Sequence, residues 1–233
     1  MSANSVNYTV KESVSIIHLD DGKANALNHA LIEGINTSLD KAKDDGKAVV
    51  LTGRPGKFCA GFDLSVLRSG PQAGSELITE GAKMLLKLFL HPQPVVAAST
   101  GHSIAAGAFM LLASDTRIGS KGDFKIGLNE VAIGLSMTEF GFMFARERLS
   151  KRHFTTSIIQ GQLYSPEEAI HVGFLDRLSP ADTVLNTALE EAERLATLDA
   201  SAYAYNKEVA RGELVKKVLD NLETNISELI QGI

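Results

Sequence analysis

Three short stretches of this 233-residue chain carry the residues whose types and spacing could do chemistry. The first is Phe58-Cys59-Ala60-Gly61-Phe62-Asp63-Leu64; the second, about forty residues on, runs from Gly101-His102-Ser103-Ile104 to Ala105-Ala106-Gly107-Ala108. Each reads as a turn of small residues joining an apolar strand to a helix. Small residues let a ligand approach the backbone, and such turns leave amide N–H groups unpaired. Two such amides from separate turns would make an oxyanion hole, which stabilises charge developing on a carbonyl oxygen. The third stretch is Gly127-Leu128-Asn129-Glu130-Val131-Ala132-Ile133-Gly134, a lone carboxylate among apolar neighbours. If Glu130 is buried, desolvation raises its pKa into the range of a proton shuttle. The local pattern equally allows an outward-facing glutamate. With the two turns, it points to chemistry that passes through an enolate.

Other constellations are weaker. Gly53-Arg54-Pro55-Gly56-Lys57 has neither the phosphate-loop nor the dinucleotide-loop spacing and reads as a turn with two cations. Histidines 18, 29, 91, 102, 153 and 171 are scattered with no His-x-x-x-His pair, and Cys59 stands alone, so no metal site is expected. Gly101-His102-Ser103-Ile104-Ala105 approximates the Gly-x-Ser-x-Gly nucleophile elbow, with Asp115, His153, His171 and Asp176 downstream in workable order for a triad. Its fifth position is Ala, and a serine hydrolase would leave the Phe58–Leu64 turn and Glu130 unexplained. Cys59 has no paired base nearby in sequence and reads as a packing residue.

These stretches need elements to position them. Val14–Leu19 reads as a strand, residues 30–43 as a helix with Leu31, Ile35, Leu39 and Ala42 on one face, and Ala48–Thr52 as a strand buried on both faces. A helix follows over 75–90, then a strand over 94–100, a small-residue helix over 105–113 and a strand over 116–119. Strands alternating with helices imply parallel sheet and an α/β class. Beyond Glu139 the pattern is mostly helical. Leu214, Val218, Leu222, Ile226 and Ile230 form one stripe that must cover the core or a neighbouring subunit. No sequence repeat is visible.

Composition bounds the rest. A 44% hydrophobic and 22% charged chain is ordinary for a soluble globular protein. A net charge of −5 argues against a nucleic-acid partner, which requires a basic surface. No apolar run approaches a membrane span, the N-terminus lacks signal-peptide features and one cysteine fits a reducing compartment. The expected location is cytoplasmic.

Taken together, Lys23-Ala24-Asn25-Ala26-Leu27, Phe58–Leu64, Gly101–Gly107 with Asp115 closing its helix, Asn129-Glu130, and Ser165–Ala169 leading to Gly173 resemble the crotonase superfamily, the enoyl-CoA hydratase/isomerase family. The resemblance covers about Val14 to Leu178. It implies a spiral of ββα units over residues 1–178, and a helical region over 179–233 covering the core or the subunit interface. It implies homotrimers, often paired into hexamers, and an acyl-CoA thioester as substrate. Carried over by residue, the amides of Phe62 and Ala106 would form the oxyanion hole, with Ala106 opening a helix whose dipole reinforces it. Lys23, Ala24, Ala26, Ala60, Gly61, Asp63, Leu64 and Phe109 would line the substrate, Lys23 and Ala24 along CoA and the Ala60 carbonyl toward its adenine.

Three departures bear on the reaction. Family hydratases carry a glutamate three residues beyond the second oxyanion donor, where this chain has Phe109, and a second at the position of Glu130. Fatty-acyl isomerases keep only the second, in a similar Leu-Asn-Glu context. Ala105-Ala106 stands where Gly-Gly is usual. Glu139, one residue past a position that holds an aspartate in some members, is a candidate second acid. The expectation is Δ3/Δ2-enoyl-CoA isomerisation by Glu130 with no metal or redox cofactor, because the thioester supplies the acidity. Hydration, hydrolysis, decarboxylation or dehalogenation of the acyl-CoA, and non-catalytic acyl-CoA binding, stay open.

Overall fold

The computed structural model describes residues 5–231. Strands β1 (Val6–Lys11) and β2 (Val14–Leu19) form an antiparallel hairpin, and helix α1 (His29–Asp45) crosses to β3 (Ala48–Gly53), parallel to β2. Asn28 caps α1 by accepting the Leu31 amide at 2.9 Å, and Leu31, Ile35, Leu39 and Ala42 are its buried face. Three times the chain then passes from one sheet to another and returns by a helix. It runs from β3 to β4 (Gly56–Cys59), then through α2 (Leu64–Leu67) and α3 (Pro71–Phe89). It continues as β5 (Val95–Ser99), β6 (Gly101–Ile104) and α4 (Ala106–Ala113), and then as β7 (Thr116–Ser120) and β8 (Ile126–Gly127). Strand β9 (Arg177–Ser179) completes a sheet ordered β1-β2-β3-β5-β7-β9, parallel apart from the first pair; β4-β6-β8 make a second, parallel sheet. This is a spiral of ββα units.

The second sheet corrects the reading of Gly101–Ile104 as a turn: these residues are strand β6. Gly101 marks the corner because a side chain there would run into the backbone of Gly56. Gly53 is confined likewise, a Cβ lying 2.7 Å from the Phe58 Cα. Strands this short and this rich in small residues give no alternating apolar signal. Edge strand β1 is largely exposed, and for the same reason has no apolar run.

Beyond β8 come a 3-10 turn (Val131–Ile133), α5 (Glu139–Arg148), a π-helical turn (Thr155–Ile159), α6 (Pro166–Val172), α7 (Val184–Ala196) and α8 (Ala200–Gln231). Ser165 and Glu168 close α6 with a capping box, and Gly173 ends it with φ +105°. Helix α7 buries Val184, Ala188 and Ala192 on the back of the large sheet, against Val50, Val96 and Ala98. Helix α8 lays Val218, Leu222 and Ile226 on the main core, so its stripe covers the chain's own α3 and α5. A buried ion cluster anchors it: Lys207 Nζ lies 2.6 Å and Arg211 Nη1 2.8 Å from the carboxylate of Asp115. Asp115 also accepts the Val95 amide, and its carboxyl stays below the usual carboxylate range because the two cations outweigh its burial. Among the described residues no helix is long and apolar enough to cross a membrane.

Candidate active site

Strand β4 ends at Cys59, and the chain turns through Ala60–Asp63 against the loop that precedes α1. Asn25 builds that loop. Its backbone is left-handed (φ +52°), and its buried side chain donates to the carbonyls of Leu19, Lys57 and Phe58 while accepting the Asp21 amide. The loop then binds the turn: the Ala60 amide donates to Ala24, the Leu27 amide to Gly61 and the Asp63 amide to Leu27. Leu27 and Phe62 thus form a parallel bridge in which Leu27 bonds to the residues flanking Phe62, so the N–H of Phe62 takes no part in it. Gly61 has φ +99°, a conformation L side chains rarely adopt.

The second turn is Ala105. It has φ +53° and ψ −119°, a strained backbone for a residue with a Cβ. Hydrogen bonds at both ends hold it: its amide donates to Gly127 and its carbonyl accepts the Phe109 amide. Ala106 is the first residue of α4, where an amide has no acceptor within its own helix. Gly107 lets the start of α4 sit on β4, since a Cβ there would collide with Cys59. A Cβ on Gly61 would lie 3.0 Å from the Ala105 methyl and 3.6 Å from the Ala106 nitrogen. The two turns therefore stand side by side, each with an amide unused by the backbone ladder.

Glu130 precedes the 3-10 turn, its carbonyl accepting the Ile133 and Leu135 amides. Its side chain enters a cavity of about 430 Å³ that also receives Phe62, Phe109, Met137, Thr138 and Phe140. Part of the carboxyl faces the cavity, while Oε2 is buried with no hydrogen-bond partner. Burial pushes the Glu130 carboxyl up to about 7, its own backbone amide offsetting little of that. The neighbouring Asn129 Oδ1 is likewise buried and unpartnered.

Phe109 is 2% exposed, stacks edge-on against Phe140 with ring centroids 5.5 Å apart, and shows its ring to the same cavity. Leu64 lies on the cavity wall, and Asp63 caps α2, its carboxylate accepting from the Ser65 amide and hydroxyl. Lys23, Ala24, Ala26 and Ala60 lie outside the cavity, on the loop and turn that the Ala60–Ala24 bond joins; Lys23 and Ala60 are exposed. Glu139 is exposed outside the cavity, its amide held by Asn225, so Thr138 and not Glu139 meets the cavity.

The elbow reading fails on partners. Ser103 is buried and its hydroxyl bonds to Ser99 and to the Gly101 carbonyl; no histidine is among its partners. Asp115 is occupied by Lys207 and Arg211, and Asp176 by Arg117. Burial lifts the Cys59 thiol to about 12, which leaves it unreactive. Among the described residues no group of three or more His, Cys, Asp or Glu side chains could hold a metal ion.

Sequence reasoning did not anticipate Arg68, Met137, Leu229 or the cavity-facing role of Ile230. The apolar stripe of α8 was a signal for Ile230. Nothing local says which cavity that helix reaches.

Fold and site together define a crotonase-type α/β protein. The sequence profile of the enoyl-CoA hydratase/isomerase family matches residues 9–229, and the chain belongs to that family. A solved enoyl-CoA hydratase/isomerase family protein of Pseudomonas syringae is 35% identical, each chain covered to 99%, with a TM-score of 0.92. An enoyl-CoA isomerase of Mycobacterium tuberculosis is 33% identical over 98% of this chain and 97% of its own, with a TM-score of 0.87. A putative enoyl-CoA hydratase of Thermus thermophilus is 29% identical over 206 residues, 85% of this chain and 81% of its own length. Hydratase and isomerase names both occur among the relatives.

Proposed function

We propose that the protein acts on acyl-CoA thioesters and isomerises 3-enoyl-CoA to 2-enoyl-CoA with Glu130 as the single base. The observation that carries this is one buried carboxyl, raised to about 7 and with its Oε2 unpartnered, which among the described residues is the only acid on the wall of an apolar cavity next to the paired turns. The thioester oxygen would sit between the amides of Phe62 and Ala106, where the positive end of α4 adds to them. Glu130, ionised, removes a proton from the carbon alpha to the carbonyl. The electron pair moves into the enolate, which the two amides hold, and the proton returns from Glu130 to the gamma carbon. Substrate and product then have equal mass. A base near neutrality suits both halves, since it must accept and return the same proton. No other group is needed, because the thioester supplies the acidity.

Phe109 supports isomerisation over hydration. It occupies the wall position where the resemblance places a second glutamate in hydratases, and a phenyl ring can neither position nor activate water. The resemblance implies a homotrimer, and light scattering of the purified chain tests that mass. A panel of acyl-CoAs followed by chromatography and mass tests the reaction. Conversion of a 3-enoyl-CoA at constant mass is the expected result. Gain of water, release of CoA, or binding without turnover would each replace this reading by hydratase, hydrolase or non-catalytic binder.

A further inference from the structure

The cavity that holds Glu130 has one other charged side chain on its wall among the described residues, Arg68. Arg68 ends α2, is exposed, and has no acidic or hydrogen-bonding partner for its guanidinium among the described residues. An exposed arginine is ordinarily satisfied by water. Its place along α3 gives this one a use.

Helix α3 runs beside the cavity as a ruler. The Phe62 ring lies against Gly81, where a Cβ would collide with it. Seven residues earlier on the same face, a Cβ at Gly74 would lie 3.4 Å from the Leu67 carbonyl and 3.9 Å from Ile230 Cδ1. Seven residues are two turns, about 10 Å along the axis. Measured along α3, Leu67 and its neighbour Arg68 therefore stand about that far from the Phe62 ring, the side chain of the oxyanion turn, with Ile78 and Ile230 on the same wall. With carbon–carbon bonds near 1.5 Å, an extended eight-carbon acyl chain covers about 9 Å.

We propose that Arg68 receives the far end of the acyl chain, and that the protein favours acyl-CoA thioesters whose chain ends in a carboxylate about eight carbons from the thioester. The inference rests on the acyl-CoA reading above. The methylenes of such a chain bury against Ile78 and Ile230, and its carboxylate reaches the guanidinium, whose planar fork matches a carboxylate in bidentate fashion. A chain ending in methyl leaves Arg68 in water at little cost. The discrimination is therefore a preference and not a requirement.

Calorimetric titration of the full chain with suberyl-CoA and octanoyl-CoA, equal in length and differing by the terminal carboxylate, tests this without needing turnover. The wild type should bind suberyl-CoA about threefold to tenfold more tightly at low salt, between the range of an exposed ion pair and that of a charged hydrogen bond, and the preference should shrink as salt is added. In Arg68→Gln the ratio of the two dissociation constants should fall to about one or reverse, and Arg68→Lys should restore part of it. Equal affinities in the wild type would overturn the inference alone. So would an Arg68→Gln variant that weakens both ligands equally, since Arg68 would then meet the CoA moiety. Failure of octanoyl-CoA to bind at all would remove the acyl-CoA reading and the inference with it.

Discussion

Replacing Glu130 with glutamine separates two consequences of one buried carboxylate. On activity, loss of the proposed base should lower turnover of a 3-enoyl-CoA by about 10²–10⁴-fold while acyl-CoA affinity is nearly kept. On stability the sign is opposite. Burial raises the carboxyl from 4.5 to about 7 in the folded protein. The folded state thus binds the Glu130 proton more tightly than the unfolded chain between those values, and stability falls as pH rises through them. Below 4.5 both states are protonated and there is no cost. Above 7 the cost is complete, about 3 kcal/mol for a displacement of that size. Glutamine is never ionised and escapes it, but leaves a buried amide without a partner, which takes back about 1–2 kcal/mol. Glu130→Gln should therefore be more stable than wild type at pH 8 by about 1–2 kcal/mol, a rise in Tm of about 2–8 °C for a chain of this size. The gain should disappear toward pH 4.5. Wild-type turnover should rise with pH, the base being about one-tenth ionised at pH 6 and about nine-tenths at pH 8. Scanning calorimetry at several pH values and a turnover assay on the same preparations read both. Unchanged turnover in the variant, or a Tm difference independent of pH, would refute the argument that Glu130 is the desolvated base.

The other expectations concern residues around it. Phe109→Glu should weaken isomerisation, since a second carboxylate raises the proton affinity of Glu130 and admits water, and wild type should hydrate crotonyl-CoA well below the roughly 10 per second typical of enzymes; fast wild-type hydration would end the case for isomerase. Ser103→Ala should keep most activity, and a serine-directed covalent inhibitor should leave Ser103 unlabelled; stoichiometric labelling would restore a hydrolase reading. Ala105→Gly should raise Tm by a few degrees, because relief of about 1–3 kcal/mol of backbone strain exceeds the roughly 0.5–1 kcal/mol entropy cost of glycine. A lower Tm would mean that Ala105 is not strained.

Much of the framework is local and was legible in the chain. Ala48–Thr52 and residues 94–100 are continuous apolar runs because parallel strands are covered on both faces, and each gives a strand within a residue of its observed limits. The helix over 30–43 shows its buried face at 3.6-residue spacing, and Asn28 supplies the cap. The family, too, was legible, since its motifs are short stretches whose order survives in one dimension. The second sheet was not: β4, β6 and β8 are two to four residues long, and glycine is used at their corners for what it lacks. Periodicity reports that a face is buried, never against what. That is why the stripe of α8 was visible while the arrival of Leu229 and Ile230 at the Glu130 cavity was not. The same limit applied to Glu130, whose local pattern fitted an outward or an inward side chain. Only the tertiary structure, by folding α3, α5 and α8 around one cavity beside two glycine- and alanine-built turns, decided that this carboxylate is desolvated. Desolvation depends on everything within several ångströms of a group, and most of what surrounds Glu130 is distant in sequence.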